Sequence, residues 1–289
     1  MKKIVIVTDS NSGITQEQAK ELGIKVIPMP FFANGQQYFE DISLKQNEFY
    51  KMLADNVDVS TSQPAIGEVI ELWDKLLEEY DEVVHIPMSS GLSMSCETAI
   101  TFASEKPYVN KVFVVDNLRI SVTQRQAVLD AIELQKAGKT GSEIKEILEK
   151  EALEASIYIS VDTLKYLKKG GRITPSGAAL GALLGIKPVL QIQGAKLDAY
   201  KKTRGMKAAK LIMLQSAIED IKNRFHGAEN VHIGIAHTNN EEEALAFLQK
   251  VKQDIPGAID YYVDHLSLSV SCHIGPGSLA IAISKKIDY

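Results

Sequence analysis

Residues 82–95 read EVVHIPMSSGLSMS. A short apolar run stops at Pro87, a serine- and glycine-rich turn follows, and MSCETAITFASE from Met94 onward has helical spacing. Strand, loop and helix follow one another without a linker. The same order opens the chain, where KKIVIV at 2–7 ends at the polar loop TDSNSG and ITQEQAKELG reads as an amphipathic helix closed by Gly23. KVIPMPFF reads as a further strand, followed by a helix-like LKQNEFYKMLAD. VSTSQP then leads into IGEVIELWDKLLEEY, with Pro64 suited to a first helical turn. VFVVDN precedes a helical ISVTQRQAVLDAIELQKAG. Apolar runs alternating with helices predict a parallel sheet covered on both faces. Ligands of such sheets sit beyond the carboxyl ends of the strands. Asp9, Ser10, Thr61, Ser62, Ser89, Ser90, Gly91, Ser93 and Asp116 fall in those loops.

Near residue 155 the pattern changes. SIYISVDTLKYLKKGGRI leads into PSGAALGALLGI, and KPVLQIQG with AKLDAYKKTR reads as two strands joined by a tight turn at Gly194. A long helix, the strand VHIGIAHT, another helix and strand, the loop SLSVSCHIGPG and a last strand SLAIAIS complete the chain. The expected fold class is α/β: a doubly wound, mainly parallel N-terminal domain over 1–154 and an α+β domain over 155–289. The hinge is expected near GSEIKEILEKEALEA. There is no internal repeat and no low-complexity segment.

A length of 289 residues favours two cores over one, and a hydrophobic share of 45% is that of an ordinary folded protein. The formal charge is −5, and the basic residues read as scattered, which argues against a nucleic-acid partner. The first apolar run ends at Asp9 without a cleavage pattern, and no later run reaches the roughly 18 residues that span a bilayer. A cytoplasmic location is the expectation. Cys96 and Cys272 are too few for a disulfide framework or a structural zinc site. His232 and His237 have opposite parity on one strand, so no metal is expected, and no cofactor either.

A serine-rich turn that starts a helix aims N–H groups, hydroxyls and a positive helix end at one point, where an anion is stabilised. Ser93 and Thr61 also fit simple capping roles. In a doubly wound sheet, however, neighbouring strand-end loops converge on one ligand. His273 is followed by Gly275, Pro276 and Gly277, a rigid turn that fixes the ring, and a fixed imidazole suits an anion.

VTDS at 7–10, STSQP at 60–64, SSGLS at 89–93, Asp116, LKYLKKGGRI ending at Ile173, Lys187 with Pro188, and HIGPG at 273–277 occur in an order and spacing that resemble the DegV family. The chain is similar, from first strand to last, to the bacterial fatty-acid-binding subunits of fatty acid kinase. The resemblance implies a long-chain fatty acid as ligand, its carboxylate held by Thr61, Ser93 and His273, and its tail in a slot formed mainly by the second domain. It implies that an ATP-dependent fatty acid kinase phosphorylates the bound acid to an acyl phosphate for phospholipid synthesis, docking on Arg172 and Arg204. No transmembrane segment is implied, and a transient membrane contact is compatible with this role. The family usually continues SSGLS with Gly-Thr, whereas this chain has Met94 and Ser95, which bears on ligand preference.

PSGAALGALLGIKPVL offers Leu180, Leu183, Leu184 and Ile186 as lining for a tail, and reads equally as a packed core helix. Burial of about fourteen methylenes at ~0.8 kcal/mol each offers roughly 11 kcal/mol before association costs. The competing reading is a serine hydrolase using Ser93 and His273, since Gly91 to Met94 resemble a nucleophile elbow. Ser95 replaces the second elbow glycine, and Asp116 or Asp264 would have to serve as the acid.

Overall fold

A computed structural model describes residues 2–179, 186–194 and 196–288. In the first half the strands are β1 (Ile4–Asp9), β2 (Lys25–Ile27), β3 (Phe31–Ala33), β4 (Gln36–Tyr38), β5 (Val59–Thr61), β6 (Glu82–Ile86) and β7 (Val112–Val114). The helices between them are α1 (Gln16–Leu22), α2 (Gln46–Ala54), α3 (Ile66–Leu77) and α4 (Ser95–Ala103), followed by α5 (Ser121–Lys136) and α6 (Gly141–Lys150). The second half contains β8 (Ala155–Ser160), α7 (Lys165–Gly170), α8 (Pro175–Ala179), β9 (Ile186–Ile192), β10 (Asp198–Arg204), α9 (Gly205–Asn223), β11 (Val231–His237), α10 (Glu241–Asp254), β12 (Asp260–His265), α11 (Leu268–Ile274) and β13 (Leu279–Lys285).

A four-stranded sheet runs β2-β1-β6-β7 with every neighbour parallel. All residues of β1 and β6 are buried, as strands covered on both faces must be. The second sheet has six strands in the order β10-β9-β8-β13-β11-β12, antiparallel except for β11 and β12. Helix α5 lies between the two sheets, packed on β1 and β6 as well as on β8, β11 and β13. Tyr262 on β12 donates its hydroxyl to Val122 O of α5 at 3.0 Å.

Two expectations fail here. KVIPMPFF is not one strand: Pro28 and Pro30 interrupt it, since proline donates nothing to a ladder. Its second half, β3, joins a separate antiparallel sheet of order β4-β3-β5, in which Phe31 stacks near Tyr38 and meets Phe49 edge-on. Thr61 therefore ends a strand of this small sheet and not of the doubly wound one. SLSVSCHIGPG is not a loop either. Ser267 caps α11 by accepting the Val270 N–H, and seven residues become helical before Gly275 leaves at φ 75.

Candidate functional site

A cavity opens where the two large sheets and the small sheet meet. Its empty volume, with the open mouth included, is about 550 Å3. Met88, Leu92, Ile120, Leu167 and Leu197 give it apolar walls, and Thr61, Ser62, Ser93, Arg172 and His273 give it polar ones.

The expected gathering of Thr61, Ser93 and His273 is thus present on one cavity, although each comes from a different kind of element. Thr61 Oγ1 and His273 Nε2 lie 2.8 Å apart. The other ring nitrogen faces Gly170 so closely that a Cβ there would sit 2.0 Å from Nδ1. Burial pushes the His273 imidazole down to about 4, with Arg172 and Lys169 adding to the effect, so the ring is neutral at pH 7.

The turn at 89–93 is folded differently from its sequence expectation. Its N–H groups do not point free into the site: Leu92 and Ser93 donate to Ser89 O, Gly91 to Ser89 Oγ, Ser90 to Asp116 Oδ1, and Ser89 to Arg119 O. Ser93 is not the N-cap of α4; Met94 takes that position, and Ser93 Oγ accepts the Ser95 N–H at 3.2 Å. Any grip on an anion therefore falls to side chains. Met94 is 61% exposed and lies outside the cavity lining.

The other candidates support the turn from behind. Asp9 is 2% exposed; its Oδ2 accepts Met88 N–H at 2.8 Å, and its Oδ1 accepts from Asn11 N and Gln124 Nε2. Burial pushes its carboxyl up to about 6, partly offset by those donors. Ser10 Oγ accepts Met29 N–H, and Asp116 Oδ1 also accepts Leu118 N–H. A Cβ on Gly275 would meet the Tyr166 ring at 2.4 Å, so the glycine after α11 serves both its left-handed φ and that packing.

Leu180, Leu183 and Leu184 lie outside the described residues. Ile186 begins β9, half-buried, and pairs with Arg204. Arg204 is exposed, whereas Arg172 is half-buried on the cavity, donating to Leu92 O at 3.2 Å and to Gly170 O. The basic residues are not scattered. From Lys165 to Lys210 there are eleven Lys and Arg against one acid, Asp198, which leaves 21 cations and 36 acids in the rest of the chain. A windowed charge count would have found this.

The Ser93–His273 pair does not form a nucleophile with its base. Nε2 is engaged by Thr61, Asp116 serves backbone amides, and Asp264 lies beside Arg125 and His265. Among the described residues no cluster of three or more His, Cys, Asp or Glu could hold a metal, and no helix is long and apolar enough to cross a membrane. Cys96 and Cys272 are buried free thiols.

Fold and site together define an α/β protein of two large sheets and a small one, with a largely apolar cavity bordered by a hydroxyl–imidazole pair. The chain belongs to the DegV family: the family profile described as "Uncharacterised protein, DegV family" matches residues 3–286. Protein DegV of Bacillus subtilis is 30% identical over 282 residues, covering 96% of this chain and 98% of that one. The crystal structure of DegV from B. subtilis, described as a fatty acid binding protein, superposes with a TM-score of 0.88 at 29% identity, over 99% of this chain and all of that one. A Thermus thermophilus DegV family protein, described by its fatty acid binding, gives a TM-score of 0.87 at 27% identity, over 98% and 99% of the two chains.

Proposed function

We propose that this protein is a cytoplasmic carrier that binds a long-chain fatty acid in the cavity and presents its carboxylate to an ATP-dependent fatty acid kinase. The acyl phosphate then feeds phospholipid synthesis. The observation that carries the reading is the shared cavity: Leu92, Ile120, Leu167 and Leu197 offer a tail an apolar wall, while Thr61, Ser93 and His273 offer a carboxylate a cluster of neutral hydroxyl and imidazole groups. Fatty acid binding by the related B. subtilis and T. thermophilus proteins supports it. Residues 1–154 supply Thr61 and Ser93, and 155–289 supply His273, Arg172 and part of the apolar wall. A ligand held this way bridges two domains.

The concentration of cations between Lys165 and Lys210 supports an acidic partner surface. Arg204, exposed at the end of the edge strand β10, faces outward for docking. Arg172 lines the cavity, so its replacement acts on ligand and partner alike. Lys201 and Lys202 on β10 also discourage edge-to-edge pairing, which is a role independent of any kinase.

Mass spectrometry of lipid extracted from the purified protein tests the ligand. A fatty acid is expected; protein that neither carries nor takes up one counts against the reading. Ser93→Ala and His273→Ala are each expected to weaken stearate binding by about ten- to a hundredfold, the worth of one hydrogen bond to a charged group. Arg204→Ala is expected to retain stearate and to lose phosphorylation by the kinase.

A further inference from the structure

One buried side chain touches both the support of Ser93 and the helix of His273. Asn11 lies two residues beyond β1, is 2% exposed and borders the cavity. Its Oδ1 accepts the Ser267 hydroxyl at 2.9 Å and the Ser269 hydroxyl as well. Ser267 is the cap of α11, and Ser269 lies in its first turn; His273 stands at the other end. The opposite end of the same amide, Nδ2, lies 2.7 Å from Met88 Sδ. Met88 is the residue from which the 89–93 turn departs.

The backbone repeats the link. Asn11 N–H donates to Asp9 Oδ1 at 2.9 Å, and Asp9 Oδ2 takes the Met88 N–H at 2.8 Å. Gln124 on α5 donates to Asp9 from a third side. Asp9 and Asn11 thus form a bracket with the Ser93 turn on one arm and α11 on the other. A buried amide satisfied at both ends is directional, and it fixes distances that apolar packing alone leaves adjustable.

We propose that Asn11 is a positioning residue that sets the spacing between Ser93 and His273. Its amide holds the start of the Ser93 turn and the N-terminus of α11 at once. This rests on the reading of Thr61, Ser93 and His273 as a carboxylate grip. Loosening the bracket separates the donors and leaves the apolar walls in place, so the carboxylate-dependent part of affinity is lost and the tail-dependent part is kept.

The test compares stearate with methyl stearate, which lacks the charged headgroup, on the delipidated full-length protein. Asn11→Ala is expected to weaken stearate about tenfold, the equivalent of one hydrogen bond, and to weaken methyl stearate by a much smaller factor. Ser269→Ala removes one of the same bonds from the α11 side. It is expected to weaken stearate less, and the double variant is expected to match Asn11→Ala alone. Equal loss for both ligands, additive loss in the double variant, or unchanged stearate binding overturns the proposal. Should Asn11→Ala fail to fold, Ser269→Ala decides in the same terms: selective loss supports the bracket, and unselective or absent loss refutes it. Ser93→Ala separates the two readings. If it leaves the preference for stearate intact, the grip itself is wrong and the bracket falls with it. If Ser93→Ala abolishes the preference and the Asn11 and Ser269 variants do not, only the bracket is wrong.

Discussion

The Ser93 turn and the His273 helix face one cavity, yet they are held in different ways. The Ser93 turn is closed by its own backbone: Leu92 and Ser93 both donate to Ser89 O, and Ser95 N–H returns to Ser93 Oγ. The His273 ring is held by contacts between elements far apart in sequence. It meets the Thr61 hydroxyl from the small sheet on one side and Gly170 at the end of α7 on the other, while Tyr50 of α2 meets Ser271 at 2.9 Å two residues earlier. One arm is closed mainly within its own turn, with Asp116, Arg119 and the Asp9–Asn11 bracket supporting it from outside, and the other depends wholly on contacts between distant elements. Substitutions on the elements packed against His273 should therefore disable that arm with less effect on the Ser93 turn.

Gly170→Ala tests this with the largest expected effect. A methyl at residue 170 would lie 2.0 Å from His273 Nδ1 and 3.2 Å from Cγ, so the whole ring must leave and the Thr61 contact with it. In a helical position alanine is otherwise favoured over glycine by about 1 kcal/mol, which offsets part of the strain of overpacking. Thermal stability is expected to change little, while stearate affinity falls about as far as in His273→Ala. Isothermal titration beside a melting curve checks it; wild-type affinity in Gly170→Ala would mean the ring has no fixed role.

How much of this was legible in sequence follows the same division. The parallel sheet and the Ser93 turn were readable because EVVHIPMSSGLSMS carries strand, turn and helix entry within fourteen residues. His273 was readable as a candidate from its Gly-Pro-Gly neighbour, but its helix was not: α11 is seven residues long and rich in serine, and its stability comes from Ser267 and from packing Leu268 and Cys272 against Phe31 and Phe49. The small sheet around Thr61 was hidden by three-residue strands with no periodicity to detect. Asn11 reads locally as an ordinary turn residue, because its partners lie 77 and 256 residues away. Of the expected tail wall, Leu180, Leu183 and Leu184 lie outside the described residues; Leu92, Ile120, Leu167 and Leu197 line the described cavity, and only the fold brings those four together.

Acid pH offers a second comparison, between His85 on β6 and Asp9 on β1. Burial pushes His85 down to about 4, and its Nδ1 has no partner. A histidine with a lowered folded pKa contributes stability that is complete above its unfolded value near 6.5 and is lost as pH falls through about 4. Asp9, raised to about 6, has the opposite sign: its contribution is present below about 3.8 and is lost as pH rises through about 6. Between those limits the two oppose each other, and His273 adds to the side of His85. His85→Phe, which keeps an aromatic ring beside Trp73, is expected to remove about 3 kcal/mol of acid destabilisation at most. Melting curves from pH 7 to pH 4 measure it, and an unchanged acid slope in the variant would show that His85 gains its proton as easily folded as unfolded.

The smallest expected effect belongs to Thr61→Val, and it asks whether Thr61 acts on the ligand or through His273. Valine keeps the shape and β-branching that suit the end of β5 and deletes only the hydroxyl. Losing one neutral hydrogen bond costs about 0.5–1.5 kcal/mol, so stearate affinity is expected to fall a few-fold, less than in Ser93→Ala. The informative measurement is the pair with His273→Ala. If Thr61 works by orienting the ring, the double variant binds stearate no more weakly than His273→Ala alone, because the group being oriented is already gone. If its hydroxyl meets the carboxylate directly, the two losses add. The 2.8 Å contact between Oγ1 and Nε2 favours the first outcome. Additive losses would instead make Thr61 an independent donor and leave Gly170 as the sole restraint on the imidazole among those described for its ring.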